Sequence, residues 1–253
     1  MHRRQILKAF AGAALCPLCV SAGLASENHH WSYEGATGPD KWGDLDASNA
    51  VCSTGNQQSP IDITGTVTTR QPSLRLNWSK RPDTIVNNGH TIQLNFAQGD
   101  TLEVGDRSFG LTQFHFHHPS EHVVDGKRYA MEVHFVHAAG EAGLAVVGVF
   151  IAPGKTNAVF NKIVSTMPEE EGAPVPADPG IDPGRLLPAQ RRYYHYEGSL
   201  TTPPCSQTVD WLVLAHPVEA AEADIKRFAK LYPMNARPVQ NRDRRFILTS
   251  NPR

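Results

Sequence analysis

Residues 113–122 read QFHFHHPSEH, and this stretch decides how the rest of the chain is interpreted. Four of the ten residues are histidines, and His115 and His117 alternate with Phe114 and Phe116. Residues i and i+2 of a β-strand point to the same face. The alternation therefore predicts a strand with two imidazoles on one face and two aromatic rings on the other. The aromatic face is expected to pack into a core, which would hold the imidazoles on a rigid element.

A second strand pattern, MEVHFVH at 131–137, carries another histidine. Glu132, His134 and Val136 share one face of this strand. If the two strands are neighbours, His134 completes a set of three imidazoles with His115 and His117. Three neutral imidazoles leave the fourth position of a tetrahedral zinc open, as a catalytic zinc site requires. The pattern predicts such a site.

The residues beside these histidines favour metal binding over an ordinary structural role. Metal-bound histidines need an acceptor for their second ring nitrogen. Gln113 lies on the face of His115, and Glu132 lies on the face of His134. The spacing alone also fits two satisfied core or surface histidines, so that explanation stays open at this point.

A different metal site also fits part of the motif. HFHHPSE matches the H-x-H-x3-E spacing of cupin barrels, which bind iron or manganese, with Glu121 as a ligand. The glycine expected seven residues after the glutamate is replaced by Arg128, and no second cupin motif follows. The cupin interpretation is therefore the weaker one.

Composition and periodicity predict one β-rich domain. The 253 residues are 40% hydrophobic and 19% charged, which excludes a disordered chain. Alternating or wholly apolar runs predict strands at 90–96, 101–111, 129–138, 143–152, 193–200 and 209–218. Two helical patterns cover 155–167 and 219–232, and the proline- and glycine-rich stretch 168–185 is expected to be a surface loop. The predicted fold class is mainly β, a large and mostly antiparallel twisted central sheet with peripheral helices.

The first 25 residues have the pattern of a signal peptide. A basic start is followed by a short apolar stretch and by small residues near Ala25, and the pair Arg3-Arg4 resembles a twin-arginine export signal. We expect cleavage after Ala25, a mature domain over 26–253 and a periplasmic location; an uncleaved N-terminal anchor is the alternative.

Loss of three basic residues with this segment takes the formal net charge from −1 to −4. The acidic mature chain argues against nucleic acid and anionic membranes as partners, and no membrane insertion is expected after cleavage. Cys52 and Cys205 then remain, and an even pair in an oxidising compartment favours a disulfide, with a catalytic thiol as the alternative.

Six motifs together resemble the α-class carbonic anhydrases of the exported bacterial type. They are QSPIDI at 58–63, NNGH at 87–90, QFHFH at 113–117, SEH at 120–122, EVHFVH at 132–137 and GSLTTPP at 198–204. Each motif is weak by itself, but six in the family's order, over almost the whole mature chain, are specific.

The resemblance implies a zinc enzyme that hydrates carbon dioxide reversibly through a zinc-bound hydroxide. It implies that His115, His117 and His134 bind one Zn²⁺, that Gln113 and Glu132 are their hydrogen-bond partners, and that Cys52 and Cys205 form the disulfide. Thr201 would orient the hydroxide and donate to Glu121, and His90 would be the proton shuttle. The implied carbon dioxide and bicarbonate pocket comprises Val136, Val146, Leu200, Thr202, Val209 and Trp211.

The resemblance leaves two functional hypotheses. An enzyme needs the hydroxide-orienting pair Thr201 and Glu121, and a weak esterase side activity would accompany it. A catalytically silent zinc-binding or interaction protein on the same fold would need only the histidines. Retention of both Thr201 and Glu121 favours the enzyme. A homodimer is compatible with the sequence, which does not decide the oligomeric state.

Overall fold

A sheet of 12 strands forms the centre of the computed structural model, which describes residues 30–140 and 143–250. The predicted signal peptide lies outside these residues. The strands, in chain order, are β1 Asp62–Ile63, β2 Val67–Thr69, β3 Leu74–Asn77, β4 Thr84–Asn87, β5 Ile92–Asn95, β6 Thr101–Val104, β7 Arg107–His117, β8 Val123–Val124, β9 Lys127–Arg128, β10 Met131–Ala138, β11 Leu144–Pro153, β12 Val175–Pro176, β13 Tyr193–Gly198, β14 Val209–Ala220 and β15 Leu248–Ser250.

The strand order of this sheet confirms the predicted fold class. Its main path runs β12-β4-β5-β7-β10-β11-β14-β13-β15-β2, with β6 pairing β3 and β7, while β1, β8 and β9 form a separate small sheet. Neighbours in the large sheet are antiparallel except for the β11–β14 and β15–β2 pairs. Antiparallel pairs can be joined by short turns, and Gly105, with φ of +63°, lies in the turn between β6 and β7.

One face of the central strands packs into the main core. Phe114, Phe116 and Phe135 have no exposed surface, and their rings contact one another or neighbouring aromatic rings. β11 is buried on both faces along most of its length, as its nearly unbroken apolar sequence predicts. The imidazoles on the opposite face of β7 therefore stand on a backbone held by packing.

The two predicted helices are confirmed, with shorter bounds. They are α3 Ala158–Thr166 and α4 Glu222–Leu231, while α1 Trp42–Leu45 and α2 Val51–Thr54 are single turns. Asn157 caps α3 by accepting from the backbone N–H groups of Val159 and Phe160. The second helix begins three residues later than predicted, because β14 continues through Ala220.

The predicted disulfide is confirmed and ties two distant segments together. Cys52 in α2 is bonded to Cys205, 153 residues later in the chain. Both cysteines are buried against Trp42. A thiol role is thereby excluded. Within the described residues, no helix combines the length and the apolar character needed to cross a membrane.

Candidate metal centre

The register of β7 and β10 brings the three predicted histidines together. His134 pairs directly with His115, and Glu132 pairs with His117. Directly paired residues of antiparallel strands point to the same face. The three imidazole centroids lie 4.6–5.4 Å apart. His117 and His134 are buried, and His115 is half-buried.

Each imidazole has one ring nitrogen engaged by an acceptor. His115 Nδ1 lies 2.8 Å from Gln113 Oε1, and His134 Nε2 lies 2.8 Å from Glu132 Oε1. His117 Nδ1 lies 2.7 Å from the carbonyl oxygen of Asn235. A carbonyl or carboxylate oxygen can only accept, so the engaged nitrogen of each ring is the protonated one. The other nitrogen of each ring then carries a lone pair.

These lone pairs converge. The ligand atoms of His115, His117 and His134 all lie within 4.8 Å of one another. His117 Nε2 is buried and has no hydrogen-bond partner in the described residues. Burial, together with the two neighbouring imidazoles, lowers the pKa of His115 well below its usual value. Burial also lowers the pKa of His117, which Glu121 partly offsets. Both rings are therefore neutral at neutral pH, as metal binding requires.

A second cluster of potential ligands is occupied by its own hydrogen bonds. Glu132 Oε1 accepts from both His134 Nε2 and His122 Nδ1, and Glu132 Oε2 accepts from the backbone N–H of His122. Although burial alone would raise the pKa of Glu132, the two histidines lower it well below the usual range. The carboxylate therefore orients His134, and three of its about four acceptor positions are already used by hydrogen bonds.

A buried chain of hydrogen bonds continues from this carboxylate to the loop after β13. His122 Nε2 lies 2.7 Å from the Tyr196 hydroxyl, which donates to Ser59 Oγ at 2.9 Å. Ser59 Oγ also accepts from the backbone N–H of Ser199. These hydrogen bonds connect the carboxylate that orients His134 to Ser199, two residues before Thr201.

Glu121 lies beside the imidazoles with one oxygen free. Its Oε1 accepts from the backbone N–H of Arg237 at 2.8 Å. Its Oε2 lies 3.5 Å from His117 Nε2 and 3.9 Å from His134 Nδ1 and is buried without a hydrogen-bond partner. The expected hydrogen bond from Thr201 is not formed among the described residues, although Thr201 is buried. The free oxygen is the acceptor that such a bond would use.

An apolar wall borders the imidazoles. Trp211 lies with its ring centroid 4.8 Å from that of His134, and its Nε1 donates to Ser199 O at 3.0 Å. The five apolar residues expected to form the carbon dioxide pocket belong to one packed cluster, namely Val136, Val146, Leu200, Val209 and Trp211. Thr202 is half-buried, and its carbonyl accepts from Cys205 N, which ties it to the disulfide.

His90 stands apart from the three imidazoles. Its ring stacks on Trp31 with centroids 3.7 Å apart and an angle of 10° between the planes. His30 lies 5.4 Å away, centroid to centroid. Burial and the neighbouring His30 lower the pKa of His90, which Glu171 partly offsets. The half-buried ring is therefore mostly neutral at neutral pH.

Sequence reasoning missed the residues 235–237, which complete the site. Asn235 supplies the acceptor for His117, and its side chain donates to the carbonyls of His90 and Phe116. Arg237 is buried and donates to Gln58 Oε1 and to the carbonyls of Ser59 and Cys52. A backbone acceptor such as the Asn235 carbonyl leaves no signal in the sequence. The two polar residues Asn235 and Arg237 between apolar neighbours were only a weak signal of a buried polar site.

The chain resembles known proteins over most of its length. The family model described as eukaryotic-type carbonic anhydrase matches residues 37–251. A carbonic anhydrase of Nostoc sp. is 39% identical over 98% of this chain and 97% of its own, and one of Klebsiella pneumoniae is 41% identical over 87% and 90%. A hyperthermostable carbonic anhydrase from a hydrothermal vent chimney superposes with a TM-score of 0.85, at 42% identity, over 88% of this chain and all of that one.

Proposed function

The chain belongs to the eukaryotic-type carbonic anhydrase family and is a zinc-dependent lyase that hydrates carbon dioxide reversibly to bicarbonate and a proton, and we propose that His115, His117 and His134 hold its zinc. The observation that carries the assignment is the fixed orientation of the three rings. Each has one nitrogen bound to an acceptor and the other directed to a common point.

The residues fit a catalytic zinc rather than a structural one. Three neutral imidazoles leave most of the metal's charge uncompensated, whereas thiolates would cancel it. They also leave one coordination position open. When bound, zinc acts as a Lewis acid that lowers the pKa of a coordinated water to about 7, a value known for carbonic anhydrases as a class and not worked out from this structure.

Glu121 and Thr201 orient the nucleophile's oxygen. The free carboxylate oxygen of Glu121 is buried and needs a donor. No hydrogen bond joins Glu121 and Thr201 in the described part of the chain, and we assign the Thr201 hydroxyl as the donor in the working enzyme, because Glu121 can only accept. With its proton committed to Glu121, the Thr201 oxygen can only accept from the reacting group. The backbone N–H of Arg237 keeps the carboxylate in place.

Carbon dioxide is small and apolar, so it lies against Val136, Val146 and Trp211 without strong polar contacts. This wall adjoins His134, which places the substrate next to the nucleophile. Thr202 lies at the same loop and binds the bicarbonate product. A weak ester hydrolysis follows from the same nucleophile and open site.

His90 carries the released proton to solvent. An acid of pKa near 7 passes its proton to water no faster than about 10³ s⁻¹, since the reverse step is limited by diffusion. A histidine titrates close enough to neutrality to relay the proton, and His90 is half-buried beside Trp31. We expect His90→Ala to lower turnover at low buffer and added imidazole to restore it; unchanged turnover would remove His90 from the pathway.

The test of the metal assignment is stopped-flow carbon dioxide hydration with zinc quantified in the same samples. His117→Ala is expected to lose both bound zinc and activity, whereas His118→Ala, at the neighbouring position, retains both. His118 Nδ1 is held by the Pro233 carbonyl outside the cluster. Chelation should abolish hydration and zinc should restore it. A zinc-loaded wild-type protein without hydration would favour the silent binding protein.

Export completes the proposal. Residues 1–25 act as a signal peptide, and the mature domain of 26–253 works in the periplasm, where the Cys52–Cys205 disulfide is stable. N-terminal sequencing of the protein from fractionated cells tests the location and the cleavage site together. A cytoplasmic protein that starts at Met1 would overturn it.

A further inference from the structure

A large cavity lies away from the metal centre, where β2 and β15 end and β13 begins. Its volume is about 890 Å³, and Arg70, Arg191, Arg192, His216 and Gln71 line it. His216 is five residues beyond Trp211 on β14, a distance of about 17 Å along a strand. The cavity shares no residue with the site that binds zinc and carbon dioxide.

The charge of the cavity is one-sided. Three arginines line it, and no aspartate or glutamate does. None of the three arginines forms a salt bridge within residues 30–140 and 143–250; the ion pairs there use other cations. Arg192 Nε donates to Thr249 Oγ1 at 3.3 Å, which leaves its terminal nitrogens for a ligand. Such a concentration of unpaired charge attracts anions.

Tyr193, at the wall of the cavity, is held by hydrogen bonds to two other segments. Tyr193 is buried, its hydroxyl donates to Pro72 O at 2.8 Å, and its backbone N–H donates to Ser250 Oγ at 3.0 Å. These bonds fasten the segment after β2 to β13. Arg191 is exposed and Arg192 is half-buried, so both side chains can reach a ligand in the cavity.

We propose that this cavity binds a small polyvalent oxyanion, a compound with two or more phosphate or carboxylate groups, through Arg70, Arg191 and Arg192. Guanidinium groups match both phosphate and carboxylate in a two-pronged geometry. The volume lies in the range of small-molecule sites and exceeds the needs of a single monovalent ion. The inference is independent of the zinc assignment, since it uses none of the same residues.

The test is a titration of the zinc-loaded protein followed by amide chemical shifts in two-dimensional NMR. Inorganic pyrophosphate and citrate are the two probes, and chloride at matched ionic strength is the monovalent control. We expect saturable shifts confined to residues 70–74, 189–193, 216 and 250. The probe that binds more tightly identifies phosphate or carboxylate as the preferred group.

Two matched variants decide the role of the arginines. Arg191→Gln with Arg192→Gln should weaken binding at least tenfold, whereas Arg227→Gln with Arg244→Gln removes the same charge from exposed positions and should change it less than twofold. Carbon dioxide hydration verifies that each variant is folded, and Arg70→Gln replaces the pair if it is not. Absence of saturable shifts, or equal weakening in both double variants, overturns the proposal.

Discussion

Removal of the Cys52–Cys205 disulfide should lower the protein's free energy of unfolding substantially. The bridge joins residues 153 positions apart. In the chain-entropy model a closed loop of this length stabilises the fold by about 5 kcal/mol, through the freedom it removes from the unfolded chain. A domain has a free energy of unfolding of about 5–15 kcal/mol. Loss of the bridge therefore removes at least about a third of this free energy.

The assay is urea unfolding of three forms: oxidised wild type, wild type reduced under nitrogen, and Cys52→Ala with Cys205→Ala. The reduced protein keeps both side chains, so its difference from the oxidised form measures the cross-link alone. The double variant adds the cost of the cavity beside Trp42. We expect the reduced form to lose about 3–5 kcal/mol. A loss below about 1 kcal/mol would refute the entropic reasoning.

The disulfide should also affect turnover. Cys205 N donates to Thr202 O, and Cys205 O accepts from Gln58 Nε2. The bridge thus holds the loop that carries Thr201 and Thr202. At urea concentrations below its unfolding transition, the reduced protein should hydrate carbon dioxide more slowly than the oxidised protein and keep its zinc. Equal turnover in both forms would show that Gln58 and Ser59 hold the loop without the bridge.

Three further substitutions, one of them with a control variant, test buried polar residues of the central sheet and of the site. Glu132→Gln should weaken zinc binding about 10–100-fold in competition with a chelator. The neutral amide oxygen is a weaker acceptor for the two histidines, and the amide nitrogen, which can only donate, would face the backbone N–H of His122; unchanged affinity would contradict an orienting role. Arg237→Met leaves three buried acceptors unpaired and should lower the free energy of unfolding by about 3 kcal/mol or more, whereas Arg244→Gln, which is exposed, should change it by less than about 0.5 kcal/mol. Burial lowers the pKa of His137 to about 4 from the ordinary value of 6.5. Between these two pH values the unfolded chain binds a proton that the folded chain does not, so the free energy of unfolding falls as the pH falls from 6.5 towards 4. At pH 5 the loss is about 2 kcal/mol relative to pH 8, and His137→Leu should remove that part of the slope in unfolding measured from pH 8 to 5; an unchanged slope would show that other groups cause it.

The local pattern of the sequence was sufficient for the strands and for part of the site. Alternation with a period of two places His115 and His117 on one face of β7 and the phenylalanines on the other, and this depends only on backbone geometry. Gln113 follows the same rule. The two helices were recognisable from their apolar spacing, although only the structure shows that β14 continues to Ala220 and delays the second one.

The pairing of distant segments was decided by the tertiary structure. No local rule sets the register that places His134 opposite His115, or brings the Asn235 carbonyl to His117. Arg237 forms a hydrogen bond with Gln58, which lies 179 residues earlier in the chain. The arginines that line the cavity away from the metal centre also come from segments that are far apart in the chain. Strand periodicity is a property of neighbouring residues and can therefore be recognised in the sequence alone. Contacts between distant residues depend on how the whole sheet packs, because a single shift of register would move every side chain of a strand to the other face.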